Sequence, residues 1–243
     1  MTTENDTLHA EHFENFWEAS SYSTFNIRDF ANAQEAYSSR DKEDSILEYP
    51  SKPHVLPFPK SDINKTSQSR QSDRDFSEKE LSEKELGIIL SSFHAHNGLE
   101  HRAYPSAGAA YALEIFCVAN NVENFSGSIL YYNPDLHAIS VIGDAPSWDE
   151  AETNIYVETT GIPQCVIIFV LFTSRLTEKY LERGGRFGLI EVGAAVQQLA
   201  LQLAESKHLK GVAAGGLIDD YWLEQLNLTH DQAKIALGYL CGK

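Results

Sequence analysis

Residues 165–172, CVIIFVLF, form an unbroken apolar run dominated by β-branched and aromatic side chains. The run is far shorter than the roughly 20 residues of a membrane-spanning helix, and it lacks the alternation of a strand with one wet face. It therefore reads as a strand covered on both sides. A chain containing such a strand needs a sheet with a layer on each face, and 243 residues are enough for one domain of that kind.

The surrounding patterns supply the sheet and its cover. LEIFCVA (113–119), SILYYN (128–133) and AISVIG (138–143) read as strands, with Asn133-Pro134-Asp135 turning the last two. VAAGG (212–216) and KIALGYL (234–240) add two more. Overlapping capping boxes at Ser77-x-x-Glu80 and Ser82-x-x-Glu85 predict a helix starting near Ser77, with Leu81, Leu86, Ile89, Leu90 and Phe93 at helical spacing. A second capped start is expected at Ser106, followed by a short helix over 175–182, a long one over 188–206 and another near 220–226. No period of 20 to 50 residues marks a repeat protein. The class is α+β.

Ahead of this core, residues 1–75 are polar and carry Pro50, Pro53, Pro57 and Pro59. Each proline removes a backbone donor and biases its predecessor toward extended geometry, so the expectation is an arm lying as polyproline-like chain on a surface. Phe13, Phe16, Trp17, Tyr22, Phe25 and Phe30 give it something to pack with, and 61–73 reads as a loop. The division is an arm over 1–69 and a domain over 70–243.

With 19 Lys and Arg against 35 Asp and Glu, the formal charge is −16. Duplex nucleic acid and anionic membrane are thereby disfavoured as partners. Cys117, Cys165 and Cys241 are far apart and form no C-x-x-C pair, which suits a reducing cytosol. The N-terminus has neither a basic n-region nor an apolar h-region, and a cytoplasmic protein is expected.

Four segments carry candidate chemistry. In Ser69-Arg70-Gln71-Ser72-Asp73-Arg74 two guanidinium groups four apart flank a hydroxyl, a fork suited to phosphate. The alternative, favoured by these six residues alone, is a solvated loop whose arginines pair with Asp73, Asp75 or Glu78. Pro105-Ser106-Ala107-Gly108-Ala109 lets backbone approach a flat ring, or simply begins a packed helix. Lys179-Tyr180 offers an amine and a phenol for proton transfer, or ordinary helix surface. Gly215-Gly216, at a strand end, exposes backbone amides or merely turns the chain. His94, His96 and His101, with Glu100, have no standard metal-ligand spacing, and no metal is expected. Cys241 has no base beside it.

In this order the segments resemble the nitroreductase superfamily, and within it the SagB/McbC-type azoline oxidases of thiazole- and oxazole-containing peptide pathways. R-x-S-x-R at 70–74 is similar to the superfamily's FMN phosphate motif, and R-x-x-P-S-A-G-A at 102–109 to a motif of this branch. Lys179-Tyr180 resembles the pair assigned to catalysis there, and E-x-G-x-x-x-Q at Glu191, Gly193 and Gln197 follows in order. The resemblance implies a central mixed sheet flanked by helices, in a homodimer with FMN at the interface. Arg70, Gln71, Ser72 and Arg74 would hold the phosphate and ribityl chain, with Lys243 as an extra cation. Pro105, Ser106, Ala107 and Gly108 would come from the partner subunit against the ring, with Gly215 and Gly216 on its other side and Gln197 nearby.

It further implies oxidation of a thiazoline or oxazoline, peptide-borne or carrier-bound, to the azole: a ring proton goes to Lys179 or Tyr180, hydride to the flavin, and electrons then to O2. The chain departs from the pattern at Ala109-Ala110-Tyr111-Ala112, at Gln198, and at Gly185, where an aromatic is usual. No peptide-clamp domain is legible, so a cyclodehydratase complex or the arm would deliver substrate. An NAD(P)H-dependent nitro or flavin reductase, and a non-catalytic partner-binding subunit, stand as alternatives.

Overall fold

The computed structural model describes residues 10–38, 56–96 and 101–243. Three helices come first: α1 (Glu11–Ser20), α2 (Ile27–Ser38) and α3 (Asp62–Ser69). Then follow α4 (Glu83–Leu90), a two-stranded ribbon of β1 (Ala95–His96) and β2 (His101–Arg102), and the strands β3 (Leu113–Ala119), β4 (Ser128–Asn133) and β5 (Ala138–Asp144). The chain ends with α5 (Trp148–Thr153), β6 (Cys165–Leu171), α6 (Ser174–Tyr180), α7 (Glu182–Ser206), β7 (Lys210–Ala214), α8 (Asp219–Gln225) and β8 (Lys234–Gly242).

Six strands form one sheet in the order β5-β4-β3-β6-β8-β7. Every residue of β3 and β6 is buried. Ile167, Phe169 and Leu171 enter one core with α4 and α7, whereas Val166, Ile168 and Val170 enter a second with Trp222 and Leu223 of α8. The apolar run is thus a strand covered on both faces, as its composition requires.

The sheet is not mixed: each ladder between its strands is antiparallel. Hairpins reverse β3, β4 and β5 locally. The long excursion through α6 and α7 returns to the edge at β7, with β8 inserted between it and β6, so the parallel pair never touches. Among the described residues parallel pairing occurs only as isolated bridges, Tyr22 with Ile218, Asp75 with Thr160 and Leu81 with Val122.

Of the two capping boxes, Ser82 forms one: its Oγ accepts from Glu85 N at 3.3 Å and Glu85 accepts from Ser82 N at 2.8 Å. Ser77 does not, because its N–H is spent on Lys243 O at 2.7 Å and Leu81 N on Asn121 O at 3.0 Å, which keeps 77–81 out of the helix.

The arm departs most from expectation. Residues 56–59 have no regular structure, and Pro50 and Pro53 lie outside the described residues, but α1, α2 and α3 are helical where extended chain and a loop were expected. In α1 only Phe13 and Trp17 are buried, a stripe too short to stand out as a period, and its support is tertiary. In α3 no residue is buried; Ser61 caps it and Thr66 donates to Glu205 of α7 at 2.8 Å.

Helix α7 runs 25 residues, with a stretch of mean hydropathy 1.3 that is long and apolar enough to cross a membrane by length and composition. It carries Glu182, Arg183, Arg186 and Glu191, and Val192, Ala195, Leu199 and Leu203 pack into the core. All three cysteines are buried and free.

Candidate active site

Lys179 and Tyr180 close α6, and their tips converge on Gly108. A β-carbon built at Gly108 would lie 2.5 Å from Lys179 Nζ and collide with Tyr180 Oη. Gly108 also has φ +57°, a conformation that side chains resist, so two independent constraints demand glycine. Lys179 Nζ stands 5.3 Å from the Tyr180 ring centre, and Phe187 packs edge-on against that ring at 5.0 Å. An exposed ammonium and a half-buried phenol thus share one opening above a bare backbone.

The loop holding Gly108 is built rigidly. Ser106 caps no helix; 107–109 is a single 3₁₀ turn. Instead Ser106 Oγ donates to Glu191 Oε2 at 2.6 Å and accepts from Tyr111 N at 2.9 Å, while Leu113 N donates to Glu191 Oε1 at 3.3 Å. Burial pushes the Glu191 carboxyl up, and the bonds from Ser106, Leu113 and Ala112 with the Arg102 charge pull it back part of the way. The Arg102 guanidinium donates to Tyr104 Oη at 3.0 Å and Leu113 O at 3.2 Å and lies 4.5 Å over the Tyr111 ring. Ala109 and Tyr111 have φ of +53° and +44°, strain that this network sustains. Pro105, Gly108 and Ala109 face outward, a platform of small groups.

A second cluster lies along the far sheet edge. Residues 70–75 run beside β7, with Asp73 N donating to Gly211 O at 3.0 Å and Thr160 N to Arg74 O at 2.8 Å. Neither Arg70 nor Arg74 forms an ion pair among the described residues, against the expectation of pairing with Asp73, Asp75 or Glu78. Arg74, Tyr156, Thr160, Gly215 and Gly216 line a cavity of about 1210 Å³, and Gln71, Lys207, Lys210, Tyr239 and Lys243 a neighbouring one of about 430 Å³. Gly215 opens on free space, whereas a β-carbon at Gly216 would meet Tyr156 Cβ at 2.6 Å.

Residues 68–243 match the Nitroreductase family. The chain belongs to that family.

Members of this kind are flavin-type oxidoreductases, and the similarity runs toward the McbC type. The chain is 27% identical to the microcin B17-processing protein McbC of Escherichia coli over 61% of its own length, a match spanning only 56% of McbC. It is 31% identical to a nitroreductase of Methanocaldococcus jannaschii over 65% of its length and 81% of that protein. Among solved structures, the E. coli microcin synthetase McbBCD complex with truncated pro-MccB17 bound superposes with TM-score 0.66 at 22% identity, covering 98% of this chain and 88% of the other. A Desulfovibrio desulfuricans nitroreductase in complex with FMN gives 0.52 at 17%, covering 76% and 87%.

Here Lys179, Tyr180 and Gly108 come together within one chain, and Arg74, Gly215 and Gly216 come together at the large cavity; no residue of the first group lines the second. Two expected ligands stand elsewhere. Gln197 is exposed on the outer face of α7 in a stripe with Arg186, Ile190 and Gly193, and lines neither cavity. Lys243 lines the smaller cavity, but its ammonium pairs with Glu85 at 2.7 Å and donates to Glu80 O at 2.8 Å. Burial would raise the Glu85 carboxyl, yet bonds from Lys243 and Ser82 bring it down to about 2.

Sequence reasoning singled out Glu191 only as part of a motif, and its role as anchor of the Ser106 loop needed the fold. It counted Phe13 among the packing aromatics of the arm without placing it: a β-carbon at Gly185 would strike the Phe13 ring, so the arm delivers an aromatic to the place where α7 has none. Among the described residues no three His, Cys, Asp or Glu side chains are grouped to hold a metal. His94 Nδ1 bonds Pro134 O at 2.7 Å, and Glu100 and the His96 side chain lie outside the described residues.

Proposed function

We propose that this member of the Nitroreductase family is an FMN-dependent azoline oxidase working in the cytosol. The observation that carries the reading is the meeting of Lys179 Nζ and Tyr180 Oη above Gly108, two distant motifs whose reactive atoms share one opening. A lysine amine, once deprotonated, or the phenol there would take the ring proton of a thiazoline or oxazoline laid on the Pro105–Ala109 platform. Bound FMN would supply the two-electron acceptor, with O2 consuming the electrons.

The chain's own groups suit that cofactor. Arg70 and Arg74 are cations without ion partners among the described residues, beside Ser72, the chemistry a phosphate requires, and Gly215 leaves backbone open to a flat ring. Because the Lys179 group and the arginine segment sit at different places on one chain, a complete site fits a homodimer, each subunit giving one half. The outward stripe of Ile190, with 63% of its surface exposed, Gly193 and Gln197 on α7 offers a flat face for close helix packing. The McbBCD complex supports a peptide substrate delivered with a cyclodehydratase partner.

The test is the purified protein with an azoline peptide and no NAD(P)H. Loss of two mass units is expected, and Lys179→Ala should reduce the rate by a factor on the order of 10²–10⁴ at unchanged flavin content. Undiminished activity in that variant sinks the mechanism. A second reading, an NAD(P)H-dependent reductase, draws support from the M. jannaschii relative; anaerobic bleaching of the flavin by NADH would favour it.

A further inference from the structure

Helix α1 and the residues that follow it are fastened to segments immediately beyond Lys179-Tyr180 and beyond Gly215-Gly216. At its start the Glu182 carboxylate accepts from His12 N at 3.0 Å and Phe13 N at 2.8 Å, and the Phe13 ring fills the notch left by Gly185. These residues lie just past Leu181, whose φ of +50° makes the strained elbow between α6 and α7 immediately after Tyr180. Such a conformation in leucine persists only when its surroundings over-determine it. One support is the close packing at Gly184, where an added β-carbon would lie 2.7 Å from the Leu176 carbonyl. The other is α1, which is further pinned by Glu14 to Lys234 at 2.6 Å.

About 15 Å along the helix, its end is fastened to the segment following Gly215-Gly216. Ser21 Oγ donates to Asp219 Oδ2 at 3.0 Å, Asp219 N donates to Tyr22 O at 3.3 Å, and Tyr22 pairs with Ile218 in a parallel bridge. Trp17 also donates to the Asp219 carboxylate.

We propose that α1 is a strut that sets the Lys179–Tyr180 elbow relative to the Gly215–Gly216 loop, with Phe13 as a positioning residue. The arm then holds in fixed relation the two halves that one subunit lends to the sites of the dimer. This rests on the site reading above, yet the strut itself can be tested without turnover.

The experiment compares the full chain with Phe13→Ala, Phe13→Leu and Phe13→Ala/Gly185→Phe by hydrogen–deuterium exchange and steady-state kinetics, with thermal unfolding run alongside. In Phe13→Ala, exchange should accelerate at 178–188 and at 215–219 as well as in α1. kcat should fall about tenfold with KM and FMN affinity nearly unchanged, since small displacements of reacting groups are costly. Phe13→Leu, which keeps apolar volume, should stay within about twofold of the parent. The double variant, which returns a ring to the notch from α7, should regain protection at 178–188 but not at 215–219. Acceleration confined to α1, or an undiminished kcat in Phe13→Ala, overturns the proposal. A parent protein inert toward azolines defeats the functional reading instead, and the exchange pattern still decides the strut.

Discussion

The Ser106 hydroxyl donates to the Glu191 carboxylate across 2.6 Å, tying the loop ahead of β3 to the middle of α7. Glu191 is 1% exposed, so its removal strands the Ser106 hydroxyl and the Leu113 N–H without an acceptor. Glu191→Ala should cost about 1–3 kcal/mol for each stranded donor, read as a lower denaturant midpoint. Glu191→Gln, which keeps one of the two acceptor oxygens, should recover part of the loss; equal losses in both variants would refute this account.

Gly108→Ala tests the convergence directly. The backbone at φ +57° costs an L-residue about 1–2 kcal/mol, and the new methyl group lands among Lys179 and Tyr180. Turnover should therefore fall far more steeply than thermal stability. A variant as active as the parent would mean that these tips do not work above Gly108.

The arginine fork is tested by comparing two flavins. Arg70→Ala and Arg74→Ala should each weaken FMN binding by roughly 10- to 150-fold, the loss of about 1.5–3 kcal/mol from charge-assisted hydrogen bonds. Riboflavin, which lacks the phosphate, should bind parent and variants alike in a fluorescence titration. Equal losses for both ligands would place the arginines away from the phosphate.

Asp219 confers a pH dependence whose sign follows from its burial. Desolvation outweighs the bonds from Ser21, Trp17 and Tyr22 and lifts its carboxyl from 3.8 to about 6. The unfolded chain then ionises first, so stability falls as pH rises from about 4 to about 6 and levels off above. Set against Asp219→Asn in denaturation at each pH, the parent should lose stability on the order of 2–3 kcal/mol across that window. Parallel curves would remove Asp219 as the cause.

The elements legible in the sequence are those whose signal is local. The buried run at 165–171, the Asn133 turn, whose side chain accepts from Asp135 N at 3.0 Å, and the Ser82 capping box each depend on residues within a few positions of one another. Helices α1 and α3 were illegible for the opposite reason: one is held by Glu182 and Asp219 and the other, beyond its local Ser61 cap, by Glu205, partners 139 or more residues away.

The same boundary runs through the candidate site. Residue types at short spacing determined its parts, because a guanidinium fork, a Lys-Tyr pair and a run of small residues are chemistry that composition alone can state. Their pairing was decided only by the fold. Which motif faces which depends on the course of α7 across the sheet and on the order β3-β6-β8-β7, set by burial on both faces rather than by any local pattern. Hence Gly108 meets Lys179, Lys243 turns to Glu85, Gln197 faces outward, and Phe13 occupies a notch that Gly185 leaves empty.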